Sequence, residues 1–259
     1  MPESETLVNV SAIAILISMA PLLVVALISN KLNLGIESPI IVSTIRTFVQ
    51  LSLLAYILDP IFAKGVELWW LVVGYCCLMV LLASYEGSIR SKYYIDGQFW
   101  MVLFPMFINV VVVALFAFFV VIKPEPRWDP QYVIPIVGML LGNCINGISL
   151  ALNSLFTSLV ECSREVELLL SFGATSYEAT ARLVQEAVRN GTMPQLNSMA
   201  IIGLISIPGM MTGQILGGTS VMQAARYQIL IMYFIAMCSF GVVLMEMYLG
   251  LYMCFDSRS

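Results

Sequence analysis

The stretch "WMVLFPMFINVVVVALFAFFVVI", residues 100–122, decides the fold class of this chain. It carries no charged side chain, and it is longer than the about 20 residues that a helix needs to cross the hydrocarbon core of a bilayer. Backbone groups inside lipid must hydrogen-bond within their own segment, which favours a helix over any open structure. The stretch therefore predicts a transmembrane helix.

The same apolar pattern recurs along the whole chain. Of its 259 residues, 60% are hydrophobic and only 11% are charged, whereas soluble domains carry about 25% charged residues. We predict an all-α, polytopic integral membrane protein with one transmembrane domain over residues 1–259. Seven apolar runs have about the length of a membrane span, at 8–29, 39–58, 67–85, 100–122, 132–156, 197–217 and 227–254.

Lysine and arginine positions predict the orientation of these spans, because cytosolic loops carry an excess of both. If the N-terminus lies outside, most of these residues fall on the inner side and Arg46 lies within the second span. The inner segments then hold Lys31, Arg90, Lys92, Arg164, Arg182, Arg189 and Arg258, and the outer segments hold Lys64, Lys123, Arg127 and Arg226. We predict an N-out, C-in topology, with the long connection 157–195 in the cytosol.

Composition and charge exclude several classes of function. The net charge is −4 and no basic cluster exists, which argues against a nucleic-acid partner. The chain has no histidine, the commonest metal ligand and general base. Nucleophile–base pairs and ligand clusters are also missing from the pattern, so we expect a protein that is not an enzyme. The sequence identifies no set of metal ligands.

The connection 157–195 has a pattern that predicts two short helices. The segment "SREVELLLSF" is followed by Gly173, which is placed to end a helix in a left-handed conformation. Thr175 and Glu178 have the spacing of a capping box. They predict the start of a second helix at about 176–189.

The second helix of this connection is expected to be short. Asn190 and Gly191 form a stop signal, and Pro194 is typical of the first turn of a following span. Arg182 lies on a face of alternating charge that suits solvent. Two interpretations stay open: a solvated helical connection, or a docking surface for a cytosolic partner.

Polar side chains inside the predicted spans are candidates for a translocation pathway. They either line a route across the membrane or act as hydrogen-bonding contacts between helices, and the sequence leaves both interpretations open. The candidates are Ser43, Arg46 and Gln50 on one face of the second span, Asn143, Asn146 and Asn153 on one face of the fifth, and Glu246 in the last.

Charged residues in the spans also predict two ion pairs. Arg46 and Glu246 lie at similar depths from the predicted cytosolic ends of their helices, and we hypothesise that they pair. Glu86 and Arg90 are four residues apart near the end of the third span. This spacing predicts an ion pair along one helix face.

The stretch "LISIPGMMTGQILGG", residues 204–218, combines an apolar run with helix breakers. Gly209, Gly213 and Gly217 form a bare stripe that lets another helix approach closely. Pro208 removes one backbone hydrogen bond just before the stripe. We predict a kinked, tightly packed helix, and two roles stay open: a hinge, or helix packing alone. Its polar and thioether side chains add three pathway candidates, Met210, Met211 and Gln214.

Five segments, read in order, resemble one family of membrane proteins. They are "TIRTFVQLSLL", "YVIPIVGMLLGN", "LLLSFGATSYEATARLVQEAVRNGTMPQLNSM", "GLISIPGMMTGQILGG" and "ARYQILIMYF". Together they are similar to the bacterial FetB-type iron-export permeases and the plant aluminium-tolerance permeases, over about residues 35–250. That resemblance implies a seven-span membrane subunit of an ABC transporter. In keeping with a separate ATPase chain, no lysine follows a glycine, so no Walker A motif exists.

A second resemblance, limited to the connection 157–195, implies where the ATPase docks. Glu167 followed by Gly173 and Ala174 is similar to the E-A-A-x-x-x-G coupling loop of ABC importer permeases, although Leu168 and Leu169 replace the two alanines. The residues implied in coupling are Glu167, Gly173, Ala174, Thr175, Glu178 and Arg182.

The function implied is that of a permease subunit of an ABC exporter for iron or aluminium homeostasis. We expect a homodimer in a lipid bilayer with two ATPase subunits, which bind the ATP, and no cofactor in this chain. A nucleotide sugar such as UDP-glucose is an alternative cargo, and an autonomous secondary transporter or channel is an alternative class. Which membrane holds the protein is not determined by the sequence.

Overall fold

The computed structural model describes residues 11–256, and every named element in this part of the chain is a helix. The all-α fold is therefore confirmed. The helices are α1 (Ala12–Lys31), α2 (Glu37–Lys64), α3 (Trp69–Ile89), α4 (Gln98–Leu115), α5 (Pro130–Glu161), α6 (Ser163–Ser171), α7 (Ser176–Ile201), α8 (Gly209–Leu216) and α9 (Val221–Asp256). A π-helical turn over Phe116–Val121 continues α4.

Six helices of the described residues are long and apolar enough to cross a membrane. They confirm a multi-pass membrane protein and correspond to six of the seven predicted spans, although residues 8–10 of the first span lie outside the described residues. The spans are Ile13–Lys31, Glu37–Lys64, Trp69–Ile89, Gln98–Val121, Pro130–Glu161 and Val221–Phe255. The predicted span 197–217 is not one continuous helix. The N-out orientation stays a prediction.

Helices α1 and α2 belong to a compact unit that ends at Lys64, and the remaining helices form a second unit that begins at Gly65. In the first unit a buried serine fixes the turn between the two helices. The Ser29 hydroxyl donates to the Glu37 carboxylate (3.0 Å) and accepts from the Ile36 backbone N–H (3.3 Å). This joins the end of α1 to the start of α2. The prediction of a single domain over 1–259 is not tested by these contacts.

Helix α5 forms the centre of the second unit and packs against α3, α4, α7 and α9. With 32 residues it is about 48 Å long at 1.5 Å per residue. The hydrocarbon core is only about 30 Å thick, so α5 extends beyond it. The core residues of α5 include Leu140, Leu141, Cys144, Ile148, Leu152 and Leu155.

The continuity of α7 corrects the prediction that a helix ends at Asn190-Gly191. Helix α7 continues through these residues and through Pro194 to Ile201. Gly191 is buried against α5, and the Asn190 side chain donates to the Ser154 hydroxyl (2.8 Å). Because this packing fixes the backbone on both sides of the local stop signal, tertiary contacts override it.

The corner between α6 and α7 agrees with the sequence. Gly173 has a φ of +89°, and Thr175 and Glu178 form both hydrogen bonds of the predicted capping box. Between the two helices of the corner, Val166 of α6 packs against Ala179 and Leu183 of α7 in a small separate core. This core gives the corner a defined shape outside the membrane spans.

Candidate functional site

The segment 202–208 interrupts the helix predicted over 197–217. Gly203 has a φ of +85°, and its N–H donates to the Ser206 carbonyl (3.0 Å) while the Ile205 N–H donates to the Ile201 carbonyl (3.0 Å). Pro208 precedes α8 as its N-terminal cap residue. Proline lacks a donor and disfavours helical geometry in the residue before it. The predicted kink is therefore a complete break, which we call the α7–α8 break.

The glycine stripe of α8 does not make the predicted close packing within this chain. Side-chain carbons added to Gly209 or Gly213 would meet no atom of the described residues within 4 Å. One added to Gly217 would meet only carbonyl oxygens of α8, with the nearest, that of Gly213, at 3.3 Å. The prediction of a tightly packed stripe is wrong for the contacts inside the described chain.

A cavity of about 180 Å³ lies at the α7–α8 break. Helix α7 runs antiparallel to α9, since Gly191 lies against Val243 while the end of α7 faces the first turns of α9. Gln228 is seven residues into α9, about 10 Å from its start, so the cavity lies within the length of a membrane-spanning helix. The cavity is lined by Met199, Ile202, Gln228, Ile229, Met232 and Tyr233.

Several amide groups near the break have no partner among residues 11–256. Gln228 is 6% exposed, and its Oε1 accepts no hydrogen bond. The Nε2 of buried Gln195, one helical turn before Met199, is likewise without a partner. On α8, the Oε1 of the predicted pathway residue Gln214 is buried and unpaired. Buried polar atoms are rarely left unsatisfied, so each of these atoms is a candidate for a ligand or water contact.

The two methionines predicted for the pathway lie at the start of α8. Met210 and Met211 are both half-buried, and Met210 packs against the main core. Neither side chain lines the cavity at the break. The methionines that line it are Met199 and Met232. Within residues 11–256, no group of three or more cysteine, aspartate and glutamate side chains is arranged to hold a metal ion.

Glu246 is fully buried within the second unit, and neither carboxylate oxygen has a hydrogen-bond partner among the described residues. On α9 it lies one turn from Val243, which packs at the α5–α7 crossing, and one turn from Gly250, which faces Met101. Arg46 is exposed on α2, in the first unit. The Arg46–Glu246 ion pair stays a prediction.

Two of the three predicted pathway asparagines contact the end of α3. Asn153 accepts from the Lys92 backbone N–H (2.7 Å) and donates to the Arg90 carbonyl (3.4 Å). Asn146 accepts from the Arg90 guanidinium (3.5 Å), and Arg90 forms the predicted ion pair with Glu86 (3.8 Å). These contacts favour a structural role in joining α3 to α5.

The third asparagine bonds to its own helix, and the predicted face of α2 is exposed. Asn143 donates to the carbonyl of Met139 on its own helix (2.9 Å). On α2, Ser43, Arg46 and Gln50 are all exposed. Of these three, Ser43 lines a groove of about 790 Å³ between α1 and α2. Their predicted role in a translocation pathway is not tested by these contacts.

The residues predicted to couple to an ATPase lie together on the α6–α7 corner. Glu167, Gly173, Thr175, Glu178 and Arg182 are exposed there, and Ala174 is half-buried. The Thr175 backbone N–H and hydroxyl both donate to the Glu178 carboxylate at 2.8 Å. These hydrogen bonds, the backbone bond first, hold the pKa of Glu178 below its ordinary value.

Comparison with known sequences agrees with the motifs and the helical fold. The pattern of a family described as "Uncharacterised protein family (UPF0014)" matches residues 12–255, nearly the whole chain. This chain belongs to the UPF0014 family. Among members of UPF0014, it is 33% identical to the membrane protein YjkA of Bacillus subtilis over 84% of each chain.

Two further UPF0014 relatives have names that refer to metals. One is the probable iron export permease protein FetB of Escherichia coli, 29% identical over 96% of this chain and 94% of FetB. The other is the protein ALUMINUM SENSITIVE 3 of Arabidopsis thaliana, 32% identical over 81% of this chain and 75% of that protein. No solved structure matches the chain.

In this UPF0014 chain, sequence reasoning missed four residues with marked environments. Gln228 and Met232 look like ordinary span residues, because only the packing of α7 against α9 places them at the cavity. The sequence likewise gives no sign that Gln195 Nε2 is buried without a partner among the described residues. Phe172 is 80% exposed at the α6–α7 corner. Its position next to the predicted helix-ending Gly173 was the one available signal, since a large apolar side chain at an exposed corner suggests a contact surface.

Proposed function

We propose that this chain is the membrane-spanning permease subunit of an ABC exporter for a metal cation. A separate ATPase subunit binds and hydrolyses the ATP, and two copies of the chain form the membrane part. The observation that carries the proposal is the continuity of α7, which extends without interruption from the exposed corner to the α7–α8 break.

The α6–α7 corner has the properties of a docking surface. Its shape is fixed by the capping box and by the small core of Val166, Ala179 and Leu183. Its outer face combines charged side chains with Phe172, and Leu168 is also more than half exposed. Interfaces typically place an apolar anchor within a polar rim, and this arrangement supports contact with another protein chain.

Helix α7 offers a physical route from that surface to the break. With 26 residues it is about 39 Å long, and its middle is held against α5 at Gly191. A displacement of the corner by an ATPase would turn or tilt α7 about this contact and change the geometry at residues 202–208. Such transmission needs an element with two arrangements, and the irregular break is the candidate for it.

The choice of cargo rests on the names of the relatives. FetB is named as a probable iron export permease and the plant relative is named for aluminium sensitivity. These names support a metal cation over the alternative nucleotide sugar, UDP-glucose. An autonomous transporter or channel would work without ATP, so energy dependence separates that class from the proposed one.

Transport into inverted membrane vesicles tests the proposal directly. Vesicles that contain the chain and its ATPase subunit are expected to take up labelled iron when ATP is supplied. Labelled UDP-glucose in parallel vesicles tests the alternative cargo. ATP-independent uptake by the chain alone would instead identify a secondary transporter or channel, and uptake of UDP-glucose without iron would replace the metal cargo.

A corner variant tests the coupling step. Phe172→Ala is expected to fold normally, because the side chain is 80% exposed, but to lose stimulation of the ATPase and vesicle uptake together. Trp69→Ala is the matched control, since Trp69 is an exposed aromatic residue at the first position of α3. Full ATPase stimulation by a Phe172→Ala, Gly173→Val double variant would rule out coupling through this corner.

A further inference from the structure

The cavity at the α7–α8 break combines polar and thioether groups that the helical packing leaves unused. Gln228 lines it with an Oε1 atom that has no partner among the described residues, although the side chain is 6% exposed. Met199 of α7 and Met232 of α9 line the same cavity from opposite helices. A buried amide oxygen without a donor loses the full benefit of solvation, so a ligand that accepts its lone pairs would stabilise it.

The break also leaves two backbone carbonyls without a backbone hydrogen bond from the described residues. Its backbone hydrogen bonds end on the carbonyls of Ser198, Ile201 and Ser206, and none ends on those of Met199 or Ala200. Irregular backbone at the depth of a membrane is tolerated only where protein or a cavity satisfies it. For the same reason, interrupted helices in membrane proteins can coordinate ions. They do so through carbonyl groups that no longer bond within the helix.

The size and chemistry of the cavity limit its ligand. A volume of about 180 Å³ is that of roughly six water molecules at about 30 Å³ each, whereas pockets for drug-sized molecules occupy about 300–1,000 Å³. This volume suits a partly hydrated metal ion better than a nucleotide sugar. Thioether sulfur favours soft and borderline cations, while hard cations such as Mg²⁺ prefer carboxylates and water.

We propose that the cavity at the α7–α8 break is a cargo site for a soft or borderline transition-metal cation, with Gln228 Oε1 and the sulfur atoms of Met199 and Met232 as ligands. This inference rests on the proposed function, and it names the site at which the exported cation binds during transport. All three ligands are neutral, so the bound ion keeps its charge within the membrane. Such a site holds the cation only weakly, which suits release to the far side.

Binding to the purified full-length chain in lipid nanodiscs tests the site without the ATPase. Under anaerobic conditions, the X-ray absorption spectrum of bound Fe²⁺ is expected to contain sulfur scatterers. Equilibrium dialysis is expected to show weakened Fe²⁺ affinity, by about tenfold or more, in a Met199→Leu, Met232→Leu double variant. Leucine keeps the volume and apolar character of methionine, so this variant is expected to fold.

A matched control uses two methionines of α9 that lie outside the cavity. Met222 and Met237 are both exposed, and a Met222→Leu, Met237→Leu variant is expected to bind Fe²⁺ like the unaltered chain. Gln228→Leu provides a second, independent test of the oxygen ligand. Equal competition by Mg²⁺ or Al³⁺, a spectrum without sulfur, or unchanged affinity in the Met199/Met232 variant would each overturn the site.

The site and the proposed function can fail separately. Fe²⁺ binding that requires Met199 and Met232, in a chain whose vesicles show no ATP-driven uptake, would support the site and overturn the exporter. ATP-driven iron uptake that persists at the unaltered rate in the Met199→Leu, Met232→Leu variant would support the exporter and overturn the site.

Discussion

Gly191 of α7 lies so close to Gly147 of α5 that a side-chain carbon at Gly191 would come within 2.8 Å of the Gly147 carbonyl oxygen. The same carbon would lie 2.7 Å from the Ala151 Cβ atom. Two glycines in register thus let two helix backbones meet, as small residues do in membrane helix pairs. This contact holds the middle of α7 in the core of the second unit.

Replacing Gly191 by alanine is expected to destabilise the protein by about 1–3 kcal/mol, because the new methyl group overpacks a crossing between backbones. Thermal unfolding of the purified variant in detergent measures this loss. The control is Gly142→Ala on α5, where an added carbon meets no atom of the described residues within 4 Å. Alanine there is expected to be neutral or to stabilise the helix. Equal melting temperatures for the two variants would contradict the close crossing.

Removing the Asn153 side chain is expected to loosen the end of α3. Asn153→Ala leaves the Lys92 N–H and the Arg90 carbonyl without their contacts to α5, at a cost of about 1 kcal/mol. Hydrogen exchange of the 90–92 backbone reports the change. Asn143→Ala is the control, since that side chain donates to the Met139 carbonyl of its own helix. If Asn153→Ala instead abolishes transport and leaves exchange unchanged, its role is in the pathway.

The capping box is expected to make the first turn of α7 sensitive to acid. The pKa of Glu178 is lowered in the folded protein by the Thr175 hydrogen bonds, so its stabilising contribution is present above the ordinary carboxyl pKa. That contribution is lost as the pH falls through the lowered folded pKa. Hydrogen exchange of the first turn, measured against pH, is expected to show this loss.

Variants of the capping box separate its two partners. Thr175→Ala is expected to speed exchange of the first turn about fivefold near neutral pH, through loss of the N-cap. Glu178→Gln is expected to remove most of the acid dependence, whereas Glu186→Gln, on an exposed later turn of α7, leaves it intact. An unchanged pH profile in Glu178→Gln would show that another group controls the corner.

Glu246→Gln is expected to fold at least as well as the unaltered chain. Its carboxylate is buried without a partner among the described residues, and burial of a charged group without compensation is costly. Glutamine keeps the shape and cannot ionise. Thermal unfolding measures stability, and vesicle uptake measures function. A drop in uptake without a drop in stability would support a place for Glu246 on the translocation pathway.

The hypothesised Arg46–Glu246 pair gives the opposite result in the same assay. If the two side chains pair, Glu246→Gln and Arg46→Gln each destabilise the protein, and the charge swap Arg46→Glu, Glu246→Arg restores it. A double-mutant cycle measures this coupling. A cycle with no coupling energy would remove the pair as an explanation for either charge.

The sequence by itself determined the membrane fold class and the local ends of several helices. Apolar length suffices for a span, because a backbone in lipid must satisfy its own hydrogen bonds. The Gly173 corner and the Thr175–Glu178 capping box could also be predicted from the sequence. Each depends only on residues that are close together along the chain. The family followed from ordered motifs and was confirmed over residues 12–255.

Only the tertiary structure decided where α7 ends and which polar groups share a cavity. Asn190, Gly191 and Pro194 carry local stop signals, but packing of Gly191 against α5 keeps the helix continuous to Ile201. The sequence placed a kink at Pro208, whereas the chain breaks over residues 202–208. Gln228 and Met199 line the same cavity only because α9 packs antiparallel to α7. These outcomes depend on residues distant along the chain, and local patterns carry no information about such partners.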